Sequence, residues 1–264
     1  MPFSSDPLTN AVVASTIAGF GATTIGAVPA FFLHRLNEKL NNAMLSFAAG
    51  VMLAATVFSL LLPSIDGMKG LGHSTSAAVP RTIAALFVGG FVLWIINSMI
   101  PHTHFGKGSE GNADTVKLRR IWLFVIAIAI HNFPEGLAVG VANGTGEFST
   151  GFGATLGIAL QNIPEGLSVA IALQSQGYSR TYAFIVTALT GAIEIVGGTL
   201  GGSVLLISGQ LLPWALAFAG GSMLFIVSDE IIPETHRPGL ANTATLALFL
   251  GFGLMMYLDG IFAH

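Results

Sequence analysis

His131 and Glu135 in HNFPEG, and Gln161 and Glu165 in the later QNIPEG, are the residues of this chain best suited to chemistry. On a helix, positions four apart lie one above the other on a single face, about 6 Å apart along the axis. Each motif therefore pairs a carboxylate with an imidazole or an amide. Pro134 and Pro164 each remove a backbone N–H and press on the carbonyl four residues back, so the carbonyls of Ile130 and Leu160 are expected to lose their partners and both helices to kink. A carboxylate, an imidazole or amide, and freed carbonyl oxygens make half of a cation site.

The elements that must position these groups are read from composition first. Of 264 residues, 53% are hydrophobic and only 9% charged, with a mean hydropathy of +0.76. A soluble domain carries roughly a quarter charged residues, so this is an all-α integral membrane protein lodged in a lipid bilayer. A net charge of −3 leaves no basic footprint for nucleic acid. Cysteine is absent, which removes disulfides, thiolate metal sites and cysteine nucleophiles. The opening MPFSSDPLTN has no positive stretch before its apolar run, so no cleaved signal peptide is expected.

Apolar windows of about 20 residues, enough to cross the ~30 Å hydrocarbon layer as helices, occur near 10–33, 42–63, 82–100, 121–142, 151–173, 181–206, 213–232 and 244–262. Eight transmembrane helices in one domain spanning 1–264 are thus expected. Alternate loops hold Arg35 and Lys39, then Lys107, Lys117, Arg119 and Arg120, then Arg180, then Arg237, against Lys69 and Arg81 on the other side. Basic loops stay in the cytoplasm, which puts both termini outside a bacterial-type inner membrane and 34–41, 101–120, 174–180 and 233–243 within. An internal repeat adds to this. FAAGVML at 47–53 runs on to LLP, and FAGGSML at 218–224 runs on to IIP. By that topology the two copies cross in opposite directions, and inverted repeats characterise transporters that hold substrate near the midplane.

A charged side chain inside a membrane helix costs from ~3 kcal/mol upward, so each needs a partner or a watery cavity. Glu135, Glu165, Glu194, Asp229, Glu230 and Asp259 fall in or near such segments, with no Lys or Arg there to neutralise them. Protonated carboxyls bonding between helices would be one answer; bound metal cations answer three neighbouring carboxylates better. Imidazole, carboxylates and the neutral oxygens of Gln161, Asn132 and Asn162 suit a borderline divalent ion such as zinc or ferrous iron over calcium or magnesium. Met52 either adds a soft sulfur or serves as core filling. Glu135, Glu165 and Glu194 together carry −3 when ionised, so one divalent ion leaves −1 and two leave +1.

HNFPEG on the fourth helix, QNIPEG on the fifth and eight helices with both ends outside resemble the ZIP family of divalent-metal transporters, in particular its bacterial GufA-like branch. The resemblance covers nearly the whole chain. It implies helices 1–3 and 6–8 as inverted repeats around helices 4 and 5, and a binuclear centre at mid-membrane. One metal position would use Met52, His131, Glu135, Gln161 and Glu165. Its neighbour would use Asn132, Asn162 and Glu194, with Glu135 and Glu165 bridging. Departures bear on selectivity: Gln161 stands where many members have His, Asn162 where some have Asp, and Asn97 where some have an acid. The implied activity is uptake of divalent metal, zinc foremost with iron, cadmium or manganese as other candidates, with the metal as substrate and no catalytic cofactor. A homodimer is compatible with the family.

Similar positions in the family guide metal in through Ser59, Asp66 and Asp259, and out through Asp229, Glu230, His236, His102 and His104. Asp66 could equally be a turn residue after Pro63, and His236 a solvated loop histidine. PHTH at 101–104 is a short His tract with metal-binding bias. The competing class is an intramembrane metal hydrolase or di-iron carboxylate enzyme, since carboxylate pairs on facing helices also build such centres. Those centres call for Glu-x-x-His or His-Glu-x-x-His, and neither pattern occurs.

Overall fold

The computed structural model describes residues 6–33, 37–99, 113–145, 148–175 and 177–262, and these are mostly helical. In chain order they are α1 (Pro7–Phe31), α2 (Glu38–Gly70), α3 (Thr75–Met99), α4 (Ala113–Gly144), α5 (Phe148–Gln174), α6 (Arg180–Ile207), α7 (Gly209–Thr235) and α8 (Ala241–Phe262). Among the described residues, seven helices, all but α4, meet the length and apolarity of a membrane span. α4 runs for 32 residues and takes in Lys117, Arg119 and Arg120, which sequence reading assigns to a loop. His102 and His104 lie outside the described residues. α1 opens on Asp6, whose exposed carboxylate accepts from the Thr9 hydroxyl at 2.6 Å and the Thr9 amide at 3.0 Å. Those bonds hold it below the usual carboxylate range.

Burial sorts the helices into a centre and a rim. In α5, 67% of the most apolar stretch is buried, against 22% in α3 and in α8. The outer helices show Phe87, Phe91 and Trp94 on α3 and Phe249, Leu250 and Tyr257 on α8. In hydrocarbon such faces carry no penalty, because lipid tails are as apolar as the side chains.

Helix contacts depend on glycine. A side chain on Gly50 of α2 would run into the Leu248 carbonyl of α8, and one on Gly251 of α8 into the Phe47 carbonyl of α2. The α3–α7 pair is built in the same way: Gly89 lies on the Phe218 carbonyl and Gly221 on the Leu86 carbonyl. Backbones approach this closely only where no Cβ intervenes, and dispersion then holds helices that the hydrophobic effect cannot drive together in lipid. Polar straps add direction. Asn143 of α4 donates to the Val139 carbonyl at 2.9 Å, the Gly151 carbonyl at 3.2 Å and the Thr155 hydroxyl at 2.8 Å, folding α4 against α5. Ser64 of α2 donates to the Pro213 carbonyl of α7 at 2.7 Å, and Gln174 of α5 to the Ala30 carbonyl of α1 at 2.8 Å.

None of the π-helical turns among the described residues falls at the prolines of HNFPEG and QNIPEG. Pro134 and Pro164 sit inside uninterrupted α-helices, as membrane helices allow when neighbouring groups take up the freed carbonyls. Wider π-helical turns occur instead at Thr16–Gly21 in α1, Thr56–Leu61 in α2 and Val227–Ile231 in α7. The last two immediately precede the LLP and IIP prolines, Pro63 and Pro233, each of which lacks the N–H needed to continue the ladder.

Gly50→Ala should destabilise the bundle by about 1–3 kcal/mol, the usual cost of overpacking. Gly253→Ala on α8, with open space around it, should be neutral or slightly stabilising. Thermal unfolding in detergent measures both.

Candidate metal centre

The two motifs place their polar residues inward. His131, Asn132 and Glu135 of α4 and Gln161, Asn162 and Glu165 of α5 are all buried, while Phe133 and Ile163, the third residue of each motif, are 36% and 40% exposed. Glu194 of α6 and Met52 of α2 are fully buried. Glycine again permits the assembly. Gly136 of α4 lies on the Glu194 carbonyl and Gly197 of α6 on the Phe133 carbonyl, while Gly166 of α5 lies on the Thr23 carbonyl of α1 and Gly26 of α1 on the Ile163 carbonyl. Gly19, in the π turn of α1, leaves the space that the Glu194 side chain fills.

Amide hydrogens hold two of the carboxylates. Gln161 Nε2 donates to Glu135 Oε1 at 2.5 Å, and Asn162 Nδ2 donates to Glu194 Oε1 at 2.7 Å and to the Ala18 carbonyl at 2.8 Å. Beyond these bonds, Glu135 Oε2, Glu165 Oε2, Glu194 Oε2, Gln161 Oε1, Asn162 Oδ1 and both amide atoms of Asn132 are buried without a hydrogen-bond partner. Each such group carries a desolvation cost of about 1–3 kcal/mol or more, and nearly all of them are acceptors. A cation is the species that answers acceptors together. Among the described residues, no three His, Asp or Glu side chains form a ready cage. Coordination here would therefore need the amide oxygens as well, and turning the Gln161 and Asn162 amides exchanges a donor for an acceptor beside Glu135 and Glu194.

The other sequence candidates divide. Met52 packs in the main apolar cluster with Ala49, Val139, Ile158 and Met223. Glu230, expected on the exit path, has its Oε2 2.8 Å from His131 Nε2. The π turn of α7 carries it there, and the sequence signal was an acid in a membrane helix with no basic neighbour. Asp229, one residue earlier and exposed, accepts from Asn97 Nδ2 of α3 at 3.0 Å. Ser59, in the π turn of α2, donates to Asp259 Oδ1 of α8 at 2.9 Å, and Gly153 of α5 leaves this pair its room. Asp66 is not a turn residue: it is exposed within the end of α2 and ion-paired with Lys69 at 2.9 Å. His236 is not a freely solvated loop histidine, for its Nδ1 lies 3.1 Å from the Ile232 carbonyl and 3.1 Å from the Thr235 hydroxyl at the end of α7. The Ala18 carbonyl and Gly19 were not foreseen, since neither residue type signals chemistry.

The family model described as ZIP Zinc transporter matches residues 103–259. The chain is 42% identical to Zinc transporter GufA of Myxococcus xanthus, over 94% of this chain and 97% of that protein. It is 40% identical to Zinc transporter ZIPB of Bordetella bronchiseptica, over 92% and 78% respectively, and 30% identical to human Zinc transporter ZIP11, over 92% and 95%. The chain belongs to the ZIP family. It is a multi-pass membrane protein of a transporter family, not an enzyme, and the hydrolase and di-iron alternative falls away. HNFPEG and QNIPEG lie within the matched region, as do Glu194, Glu230 and Asp259.

Asn162→Ala should lower stability by about 1–3 kcal/mol, because it strips a donor from two buried acceptors. Asn132→Ala, whose amide has no partner to lose, should leave the melting temperature unchanged or raise it. Differential scanning fluorimetry of metal-free protein checks the contrast.

Proposed function

We propose that this protein carries zinc through the membrane into the cytoplasm, with a binuclear site at the midplane. One position is formed by Met52, His131, Glu135, Gln161 and Glu165. The other uses Asn132, Asn162 and Glu194, and Glu135 and Glu165 bridge the two. The observation that carries this reading is the set of buried, unpartnered acceptor oxygens on α4, α5 and α6, in the stretches 121–174 and 181–207, which hold no Lys or Arg to neutralise them. Zinc takes imidazole, carboxylate and amide oxygen together, with iron, cadmium and manganese as competitors on the same ligands. The similar proteins, all named zinc transporters, favour zinc.

The ion would shed its water into these ligands as the Gln161 and Asn162 amides turn their oxygens inward and His131 exchanges Glu230 for metal. Ser59 and Asp259 form the outer approach, with Asp66 farther out. Glu230, Asp229 and His236 lead inward, joined by His102 and His104. Protons compete for the same carboxylates and imidazole, so uptake should weaken as pH falls. Both termini lie outside a cytoplasmic-type membrane by the distribution of basic residues.

Eight spans arranged as an inverted repeat fit the contacts. Exchanging α1, α2 and α3 for α6, α7 and α8, and α4 for α5, carries the Gly50–Leu248 and Phe47–Gly251 approaches onto Gly221–Leu86 and Phe218–Gly89. The same exchange carries Thr23–Gly166 and Gly26–Ile163 onto Glu194–Gly136 and Gly197–Phe133. Thr23 is thus the counterpart of Glu194, which leaves the proposed centre acidic on one side only. Nothing in this reading requires a second copy of the chain.

Radioactive zinc uptake into proteoliposomes is the test. Wild-type protein should accumulate zinc, and Glu135→Ala and His131→Ala should each lose at least ~10-fold of the rate, the scale on which ligand changes act. Absence of accumulation by wild type would overturn transport. Titration calorimetry separates the two positions: Glu165→Gln should weaken both, and Glu194→Gln the second alone.

A further inference from the structure

A cavity of about 380 Å³ lies between the α3–α7 pair and the α4–α6 pair. Val92 and Ile96 of α3, Phe133 and Leu137 of α4, Ile193 of α6 and Phe218 of α7 form its walls. Its one hydroxyl, Ser222, is already committed to the Phe218 carbonyl at 3.1 Å. Ile96 and Phe133 are 39% and 36% exposed, so the cavity opens sideways. All of its walls belong to the proposed membrane spans, and the medium beyond that opening is hydrocarbon.

We propose that this slot binds one acyl chain of a membrane lipid. Because the walls are almost wholly apolar, a metal ion, a headgroup or any polar ligand would lose its hydration there for little return. Size excludes a partner helix: at ~10 Å across, less than one turn would fit in this volume. At the ~30 Å³ that a water-sized group takes up in a liquid, the slot holds roughly a dozen methylenes. Left unfilled, its lining would forgo dispersion contacts on one side, and the flexible chains of the bilayer are the molecules at hand to supply them.

The location gives the site a bearing on the metal centre. Gly89 and Gly221 fix α3 to α7, and Gly136 and Gly197 fix α4 to α6, so the slot is a seam between two tightly joined pairs. Phe133 and Pro134, which line it, stand between Asn132 and Glu135 of the metal-binding motif. A chain held there packs against the outer side of the turn whose inner side presents the ligands. Binding rests on the slot alone, while any effect on uptake rests also on the transport reading.

Full-length protein is reconstituted in phosphatidylcholine vesicles containing a small fraction of lipid with a diazirine at mid-chain, illuminated without zinc, and mapped by peptide mass spectrometry. Crosslinks should concentrate on Val92, Ile96, Phe133 and Ile193, several-fold above the lipid-facing Phe249 and Leu250 of α8. Ala129→Trp, which fills the slot from α4, should remove the excess and leave the α8 signal unchanged. Ser222→Leu, filling from α7, does the same if the first variant fails to fold. Equal labelling of slot and α8, or an excess that survives both fillings, would overturn the proposal. Because the readout contains no zinc, its failure leaves the transport reading intact, and a failed uptake assay leaves this result standing.

Discussion

Glu135, Glu165 and Glu194 are buried in stretches, 121–174 and 181–207, that contain no lysine or arginine. Taking a carboxylate out of water costs several kcal/mol even after relaxation. Much of the surrounding structure can be understood as a response to that cost. The Gln161 and Asn162 amides give hydrogens to Glu135 and Glu194, and Glu230 meets His131. The response is incomplete, since one oxygen on each of the three acids remains without a partner. A fully satisfied network would lock these helices together and leave a cation nothing to gain; an unfinished one keeps acceptors in reserve.

Bringing acids from separate helices so close requires backbones that nearly touch. The α4–α6 and α1–α5 approaches place bare glycine on a neighbour's carbonyl, directly beside Glu194 and beside the third residue of each motif. The α2–α8 and α3–α7 pairs use the same device away from the centre. The helices are thereby grouped into closely packed pairs, with looser seams between them such as the apolar slot beside Phe133.

The π turns supply what regular helices cannot. An extra residue per turn rotates the side chains beyond it and changes which carbonyls face inward. In α1 the wider turn includes Ala18, whose carbonyl receives Asn162, and Gly19, which makes room for Glu194. In α2 it includes Ser59, the partner of Asp259, and in α7 it includes Asp229 and Glu230. All three π turns lie where polar groups of separate helices meet, which is where such turns are often found.

The sequence by itself determined the membrane class, the all-helical build, the two polar motifs and the acids needing an answer. These are local properties: apolar length decides insertion, and helical spacing decides which residues share a face. Neither motif identifies the atoms it will meet, because hydrogen-bond partners on other helices depend on how those helices are rotated and how closely they approach. Only the tertiary structure could decide that Glu230 reaches His131 while Asp66 stays with Lys69 at the surface. The prolines illustrate the same limit. Those in the motifs suggested breaks at the centre, yet α4 and α5 continue through them and the wide turns form before Pro63 and Pro233. A missing N–H can be identified from sequence, but whether the helix bends, widens or runs on depends on what its neighbours offer the freed carbonyl.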